Sequence, residues 1–237
     1  MNIALLGYGK MGKTIEQLAQ EKGHNIVLRA SSSTKKIDLS KADVAIEFST
    51  PDSVVENLKA CFEQNVPVVC GTTGWLDAYD ELIKLCKARN GSFIYASNFS
   101  VGVNLFFELN KNLSQLMAKH KAYIPSVEEI HHTQKKDAPS GTAISLAEQI
   151  VANTDYTKWC LVENNNDEVV AEQLPITAMR KGDVKGTHII NYDSEIDSIH
   201  IKHQAHSREG FALGAILAAE WLLGKKGIYS MRDVLGL

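Results

Sequence analysis

No stretch of this 237-residue chain stays apolar for the roughly 20 residues that a membrane-spanning helix needs, so no membrane helix is expected. Cysteine is scarce: Cys61, Cys70, Cys86 and Cys160 are the four, and no two stand at C-x-x-C spacing. That argues against a zinc ribbon or a redox dithiol; no metal is expected, and reduced thiols in a cytoplasmic protein are the simplest account. Charge of one sign is lacking as well. Lys and Arg number 25 against 28 Asp and Glu, a net charge of -3, which gives no reason to expect nucleic acid or an anionic membrane as partner. The N-terminal segment has no cationic region ahead of its short apolar run and no cleavage pattern after it, so no leader is expected there. There is no internal repeat and no low-complexity linker, and the Asn-rich residues 163–167 read as a loop. What remains, 44% hydrophobic and 22% charged, is an ordinary globular composition. The length suffices for one large domain or two small ones.

The first half alternates strand and helix. Asn2–Leu6 is a short apolar run of the kind buried in a parallel sheet, and Gly7-Tyr8-Gly9-Lys10-Met11-Gly12 follows at once as G-x-G-x-x-G. Ile15, Leu18 and Ala19 then recur at helical spacing up to Gly23, a C-terminal stop. Strand, glycine turn and helix in that order point to a Rossmann-like dinucleotide site. Gly7 permits the turn, Gly9 lets backbone approach the pyrophosphate, and Gly12 lets the helix pack on the strand. Further strands are expected at Asn25–Ala30 and at residues 43–48, 67–70 and 92–96. Helices are expected from Pro51, with Thr50 as N-cap, and over residues 75–88. Gly71-Thr72-Thr73 and Ser97-Asn98-Phe99 then fall at the carboxyl edge of a doubly wound parallel sheet, where such folds bind ligands. After the second strand the usual acidic ribose ligand is missing. Arg29, Ser31, Ser32, Lys35 and Lys36 stand there instead, a hydroxyl and cation set suited to a 2′-phosphate, hence NADPH with NADH tolerated.

The second half breaks the alternation. An amphipathic helix over Val101–Met117 leads to a strand at 123–130 and a helix at 140–152. Serial strands at 172–179, 186–193 and 196–204 follow, and an apolar helix at 211–223. This describes a C-terminal α+β domain with a mixed or antiparallel sheet, which commonly buries a face in an oligomer. Residues 1–99 with 209–237 are expected to form the dinucleotide-binding domain, and 100–208 the substrate and oligomerisation domain. His188, His200, His203 and His206 lack metal-ligand spacing and read as strand-face or interface residues. Arg208 is placed to reach a substrate carboxylate or the cofactor, or to pair on the surface.

The most informative stretch is EIHHTQKKDAPSGTA, residues 129–143. A strand would fix His131 and His132, Lys135 and Lys136 add positive charge, and Ser140-Gly141-Thr142 opens a helix whose N-terminus suits an anion. Together they describe a site for an anionic, proton-accepting substrate.

With the segments Gly71-Thr72-Thr73-Gly74, Ser97-Asn98-Phe99-Ser100-Val101-Gly102-Val103-Asn104 and Arg180-Lys181-Gly182-Asp183, this block resembles the dihydrodipicolinate reductases of bacterial lysine biosynthesis along nearly the whole chain. The resemblance implies hydride transfer from NADPH or NADH to a cyclic dicarboxylate with loss of water, in a homotetramer. It implies His131 as proton donor and Lys135 as the second catalytic residue. His132, Gly141 and Thr142 are implied on the substrate. The glycine turn, Gly71, Thr72, Thr73, Ala96, Ser97, Asn98 and Phe99 are implied on the cofactor. The chain departs from many members in having GxGxxG rather than GxxGxxG, and in the missing ribose carboxylate. Competing readings are another NAD(P)-dependent dehydrogenase of the same architecture and a non-catalytic nucleotide sensor. The sensor would be expected to lack His131 or Lys135.

Overall fold

The computed structural model describes residues 1–34, 36–162 and 170–237. Lys35 and the loop expected at 163–167 lie outside the described residues. The described chain forms two compact units, Met1–Asn104 with Glu209–Leu237, and Leu105–Arg208.

The first unit is a six-stranded parallel sheet built from β1 (Asn2–Leu6), β2 (Asn25–Ala30), β3 (Val44–Glu47), β4 (Val68–Cys70), β5 (Ser92–Tyr95) and β11 (Gly227–Tyr229), in the order β11-β5-β4-β3-β1-β2. Successive residues of a strand point to opposite faces, and both faces of the inner strands are covered, which is why residues 3–6, 44–46 and 68–70 read as unbroken apolar runs. Ile3, Leu5, Ile46, Val69 and Ile94 pack with α1 (Lys10–Glu21) and α6 (Glu209–Leu222). Ala4, Leu6, Ala45, Val68 and Phe93 pack with α2 (Pro51–Glu63) and α3 (Tyr79–Ala88). Each fully buried Leu, Ile or Phe among them contributes about 1.5–3 kcal/mol. Strand order reverses at β1, with β2 on one side and β3 on the other. The crevice above the carboxyl ends of β1 and β3 is therefore the switch point at which such sheets take ligands.

One local expectation is corrected. The helix expected from residue 75 starts later: the Trp75 indole donates to Thr72 O at 2.7 Å, Leu76–Ala78 form a 3₁₀ turn, and α3 begins at Tyr79. Thr50 is the N-cap residue of α2, as expected, and its hydroxyl donates to Ser53 Oγ at 3.2 Å.

The second unit holds a five-stranded mixed sheet. It comprises β6 (Ile124–His131), β7 (Lys158–Val162), β8 (Gln173–Arg180), β9 (Thr187–Asp193) and β10 (Ser198–Gln204), in the order β10-β9-β6-β8-β7. β8 runs parallel to both β6 and β7, whereas β9 is antiparallel to β6 and β10. Val127, Leu174, Ile176, Ile190 and Tyr192 face Leu146, Ala147 and Ile150 of α5 (Gly141–Val151) and Phe106 of α4 (Val101–Met117), forming a separate core. Asn110 of α4 ties the two helices by donating to Leu146 O at 3.0 Å and Gln149 Oε1 at 2.9 Å. No helix among the described residues is long and apolar enough to cross a membrane.

Candidate active site

In the first unit the ends of β1, β3, β4 and β5 share one edge. Gly7 has φ +99, and a Cβ there would lie 2.0 Å from Phe48 O, so only glycine makes this turn. At Gly12 a Cβ would meet Gly7 O at 2.3 Å. Nothing lies within 4 Å of the Cβ position of Gly9, which caps α1. Open backbone at a helix N-terminus is what a pyrophosphate requires, so the residues fit a dinucleotide. Around the turn, Lys10 is exposed and Met11 packs against the core. Tyr8 donates its hydroxyl to Glu16, which also takes Arg29, whose Nε lies 3.0 Å from both carboxylate oxygens. Arg29 is thus already partnered, and the described polar groups near the end of β2 include the exposed Ser31, Ser32 and Lys36; Ser31 O accepts from Thr34 N at 2.9 Å.

The other strand ends are held from beneath by Glu47, fully buried, which accepts from Ser49 N at 3.2 Å and Asn57 Nδ2 at 3.1 Å. Gly71 leaves room for the Phe48 ring, which a Cβ would strike at 2.2 Å. Thr72 is 6% exposed, with Oγ1 accepting from Ser49 N at 2.8 Å, while Thr73 is exposed. Ala96 packs on the core and Ser97 is exposed. Asn98 Oδ1 accepts from Ser100 N at 2.9 Å. Phe99 is 1% exposed and packs on Phe48, so what it presents at this edge is backbone.

The second unit carries the histidine site. Glu129 and His131, two residues apart on β6, point to the same face and are 0% and 7% exposed. His132 follows the end of β6 and is half-buried. Register brings His188 of β9 opposite Glu129, and Arg180 of β8 opposite His131. The Glu129 carboxylate accepts from Ser140 N at 3.1 Å on both oxygens. Arg180 Nη1 lies 3.4 Å from Oε1, and Oε2 faces His131 Nδ1 at 3.5 Å and His188 Nε2 at 3.7 Å. Burial alone would raise the Glu129 carboxyl, but the bonds from His188 and Ser140 hold it down at about 2. Burial pushes His131 down to about 4, against the pull of Glu129 and with the push of His188, Lys135 and Arg180.

Ser140 is the N-cap of α5, its Oγ accepting from Ala143 N at 3.2 Å and bonding His188 Nε2 at 3.2 Å. One residue therefore ties the helix start to the histidine cluster. Gly141 and Thr142 occupy the first turn of α5, where backbone N–H groups lack intrahelical acceptors, and Gly141 is exposed. Lys135 Nζ is clasped by Asp137 at 2.6 and 2.7 Å, and Arg180 Nη2 donates to Asp137 O at 2.6 Å. Arg208 is exposed and near enough to Asp183 to help hold its carboxyl below the usual range, after the Lys185 bond that does most of it.

Glu129, Arg180 and His188 were not among the residues expected at the site from sequence. The local signals were Glu-x-His on one strand face for Glu129 and the Arg180-Lys181-Gly182-Asp183 segment for Arg180. The donor atoms of Glu129, His131 and His188 lie within 4.8 Å of one another, close enough for a metal set. The Arg180 guanidinium already balances the carboxylate, and the surroundings are cationic, which disfavours a divalent ion.

A Rossmann-like unit joined to a mixed-sheet unit with a cationic, histidine-bearing site defines a two-unit oxidoreductase. The family models described as dihydrodipicolinate reductase, N-terminus, and dihydrodipicolinate reductase, C-terminus, match residues 1–99 and 102–235. The chain is 50% identical over 238 residues to the 4-hydroxy-tetrahydrodipicolinate reductase of Christiangramia forsetii, covering 99% of this chain and 98% of that one. It is 34% identical over 229 residues to the protein of that name from Neisseria gonorrhoeae, covering 94% and 84%. Among solved structures it is similar to dipicolinate-bound dihydrodipicolinate reductase from Paenisporosarcina sp. TG-14, with a TM-score of 0.75, 22% identity and 98% coverage of both chains. The chain belongs to the dihydrodipicolinate reductase family.

Proposed function

We propose that the protein reduces 4-hydroxy-tetrahydrodipicolinate to tetrahydrodipicolinate, with loss of water, using NADPH and accepting NADH, on the diaminopimelate route to L-lysine. The observation that carries this reading is the meeting of His131 and the α5 N-terminus around Glu129, in a chain whose whole length matches proteins named for the reaction.

The reduced nicotinamide supplies the hydride when bound. Gly7, Tyr8, Gly9, Lys10, Met11 and Gly12 would hold its pyrophosphate. Gly71, Thr72, Thr73, Ala96, Ser97, Asn98 and Phe99 would line the rest of its path. With Arg29 engaged by Glu16, a 2′-phosphate falls to Ser31, Ser32 and Lys35. The substrate is a dianion, and cations with oriented N–H donors suit its carboxylates. Gly141 and Thr142 at the helix start, with His132 and Arg208, take one carboxylate. Lys135 holds the dianion and stabilises the charge that develops on reduction. His131 then donates a proton to the reduced substrate.

Assembly as a homotetramer through the second unit is part of the proposal. Ile124, 56% exposed, and Met179, 40% exposed and paired with Ile130, lie on the sheet face turned away from the core. The free cysteines suit a cytoplasmic setting.

The test is a coupled assay in which pyruvate and aspartate semialdehyde, with the synthase that condenses them, generate the unstable substrate in place. NADPH and NADH are compared by loss of absorbance at about 340 nm. Synthase-dependent oxidation, faster with NADPH, is the expected result. A folded protein that oxidises neither cofactor overturns the proposal.

A further inference from the structure

His131 has two ring nitrogens in different surroundings. Nδ1 is buried without a hydrogen-bond partner, and Glu129 Oε2 faces it at 3.5 Å. Nε2 looks toward Gly186, where a Cβ would stand 3.3 Å away, so the missing side chain keeps that nitrogen uncovered. The carboxylate is fixed independently of His131. Ser140 N holds both oxygens at 3.1 Å, Arg180 Nη1 stands at 3.4 Å, and His188 Nε2 at 3.7 Å with a second bond to Ser140 Oγ at 3.2 Å. The other charges acting on the His131 ring come from Lys135, Arg180 and His188, with Asp137 occupied by Lys135. Glu129 is therefore the anion on hand to orient a proton on this ring, and it faces one nitrogen only.

We propose that Glu129 is a positioning residue that keeps a proton on His131 Nδ1, so that Nε2, left open by Gly186, is the nitrogen that protonates the substrate. His188 and Arg180 act through Glu129 by holding its carboxylate in place. The proposal rests on the reading of His131 as proton donor. In the step, the Nε2–H bond of the imidazolium breaks, and the proton goes to the substrate atom made electron-rich by reduction. The electron pair stays on Nε2, leaving the neutral Nδ1–H tautomer already facing Glu129. A carboxylate behind a histidine acts in this way wherever it fixes the tautomer without itself taking the proton.

The experiment compares wild type, Glu129→Gln and Glu129→Asp in the coupled assay across pH. Removing the carboxylate charge disfavours the imidazolium. Glu129→Gln should lose about 10²-fold in kcat, and the decline of kcat at high pH should move about one pH unit lower. Cofactor KM should change less than about two-fold, because the contacts of Glu129 all lie in the substrate unit. Glu129→Asp should return the pH limb toward wild type. A pH limb that does not move overturns the proposal, including when kcat falls uniformly. If Glu129→Gln does not fold, ¹⁵N-histidine NMR of the wild type decides, with His131→Asn to assign the signal. A neutral Nδ1–H tautomer supports the proposal and an Nε2–H tautomer overturns it. The two readings separate cleanly. Near-normal turnover of His131→Asn withdraws the proton-donor reading, whereas an inactive His131→Asn beside an unaltered Glu129→Gln withdraws only the role of Glu129.

Discussion

Binding of a dicarboxylate should carry a proton into the site. Burial holds free His131 down to about 4, so at pH 7 about one ring in a thousand is charged. A donor must be charged in the complex, which requires a rise to about 7 or above, worth about 4 kcal/mol. One substrate carboxylate about 4 Å from the ring, at an effective dielectric near 20, supplies about 4 kcal/mol. The magnitudes match, so on this account the substrate itself is expected to charge its donor. Pyridine-2,6-dicarboxylate is a stable dianion for the test. Titration calorimetry at pH 6 in buffers of different ionisation enthalpy should show uptake of about one proton per site, falling to about half at pH 7. Affinity should weaken about fivefold from pH 6 to pH 7, because the proton is bound with the ligand and becomes scarcer. His131→Ala should abolish most of the uptake. Binding by the wild type with no uptake, or equal uptake by His131→Ala, would refute the reasoning.

Three further outcomes follow from the same geometry. Gly12→Ala places a methyl 2.3 Å from Gly7 O and must reshape the glycine turn, so NADPH affinity measured by fluorescence should fall at least about tenfold; an unchanged Kd would remove the turn from the cofactor site. Lys135→Ala should raise the substrate KM by about tenfold or more, the loss of one charged contact, with cofactor KM within about two-fold; equal effects on both would place Lys135 elsewhere. The depressed His131 makes the fold acid-sensitive: the unfolded ring, titrating near 6.5, takes up protons before the folded one does at about 4. Its contribution is complete above pH 6.5 and lost as pH falls toward 4, about 2 kcal/mol of it between pH 7.5 and 5. Urea unfolding of wild type and His131→Ala at the two pH values checks this, and equal pH dependence in the two proteins would contradict it.

Much of the fold was legible because local chemistry and tertiary context agree. Residues 3–6 are apolar throughout because both faces of the sheet are covered there, and Ser140 opens α5 with the hydroxyl cap its sequence offers. What escaped the sequence depends on distant partners. β11 is three residues long and forms only because β5, far back in the chain, gives it an edge. β7 is a half-buried edge strand without clean alternation, and its parallel pairing with β8 leaves no local mark. The delayed start of α3 traces to one indole–carbonyl bond at Trp75. At the candidate site the adjacent histidines and the Ser-Gly-Thr helix start stand out along the chain. Glu129, Arg180 and His188 meet only through register across β6, β8 and β9, so they were visible one at a time and not as a cluster. Arg29 read as a free cation because its partner Glu16 lies on a different element.

The most direct test of the central claim, that His131 is the proton donor of a dicarboxylate reductase, is kcat of His131→Ala in the coupled assay, beside its cofactor affinity. The account predicts a loss of about 10²-fold or more in kcat with cofactor Kd little changed. Turnover within a few-fold of wild type would contradict it.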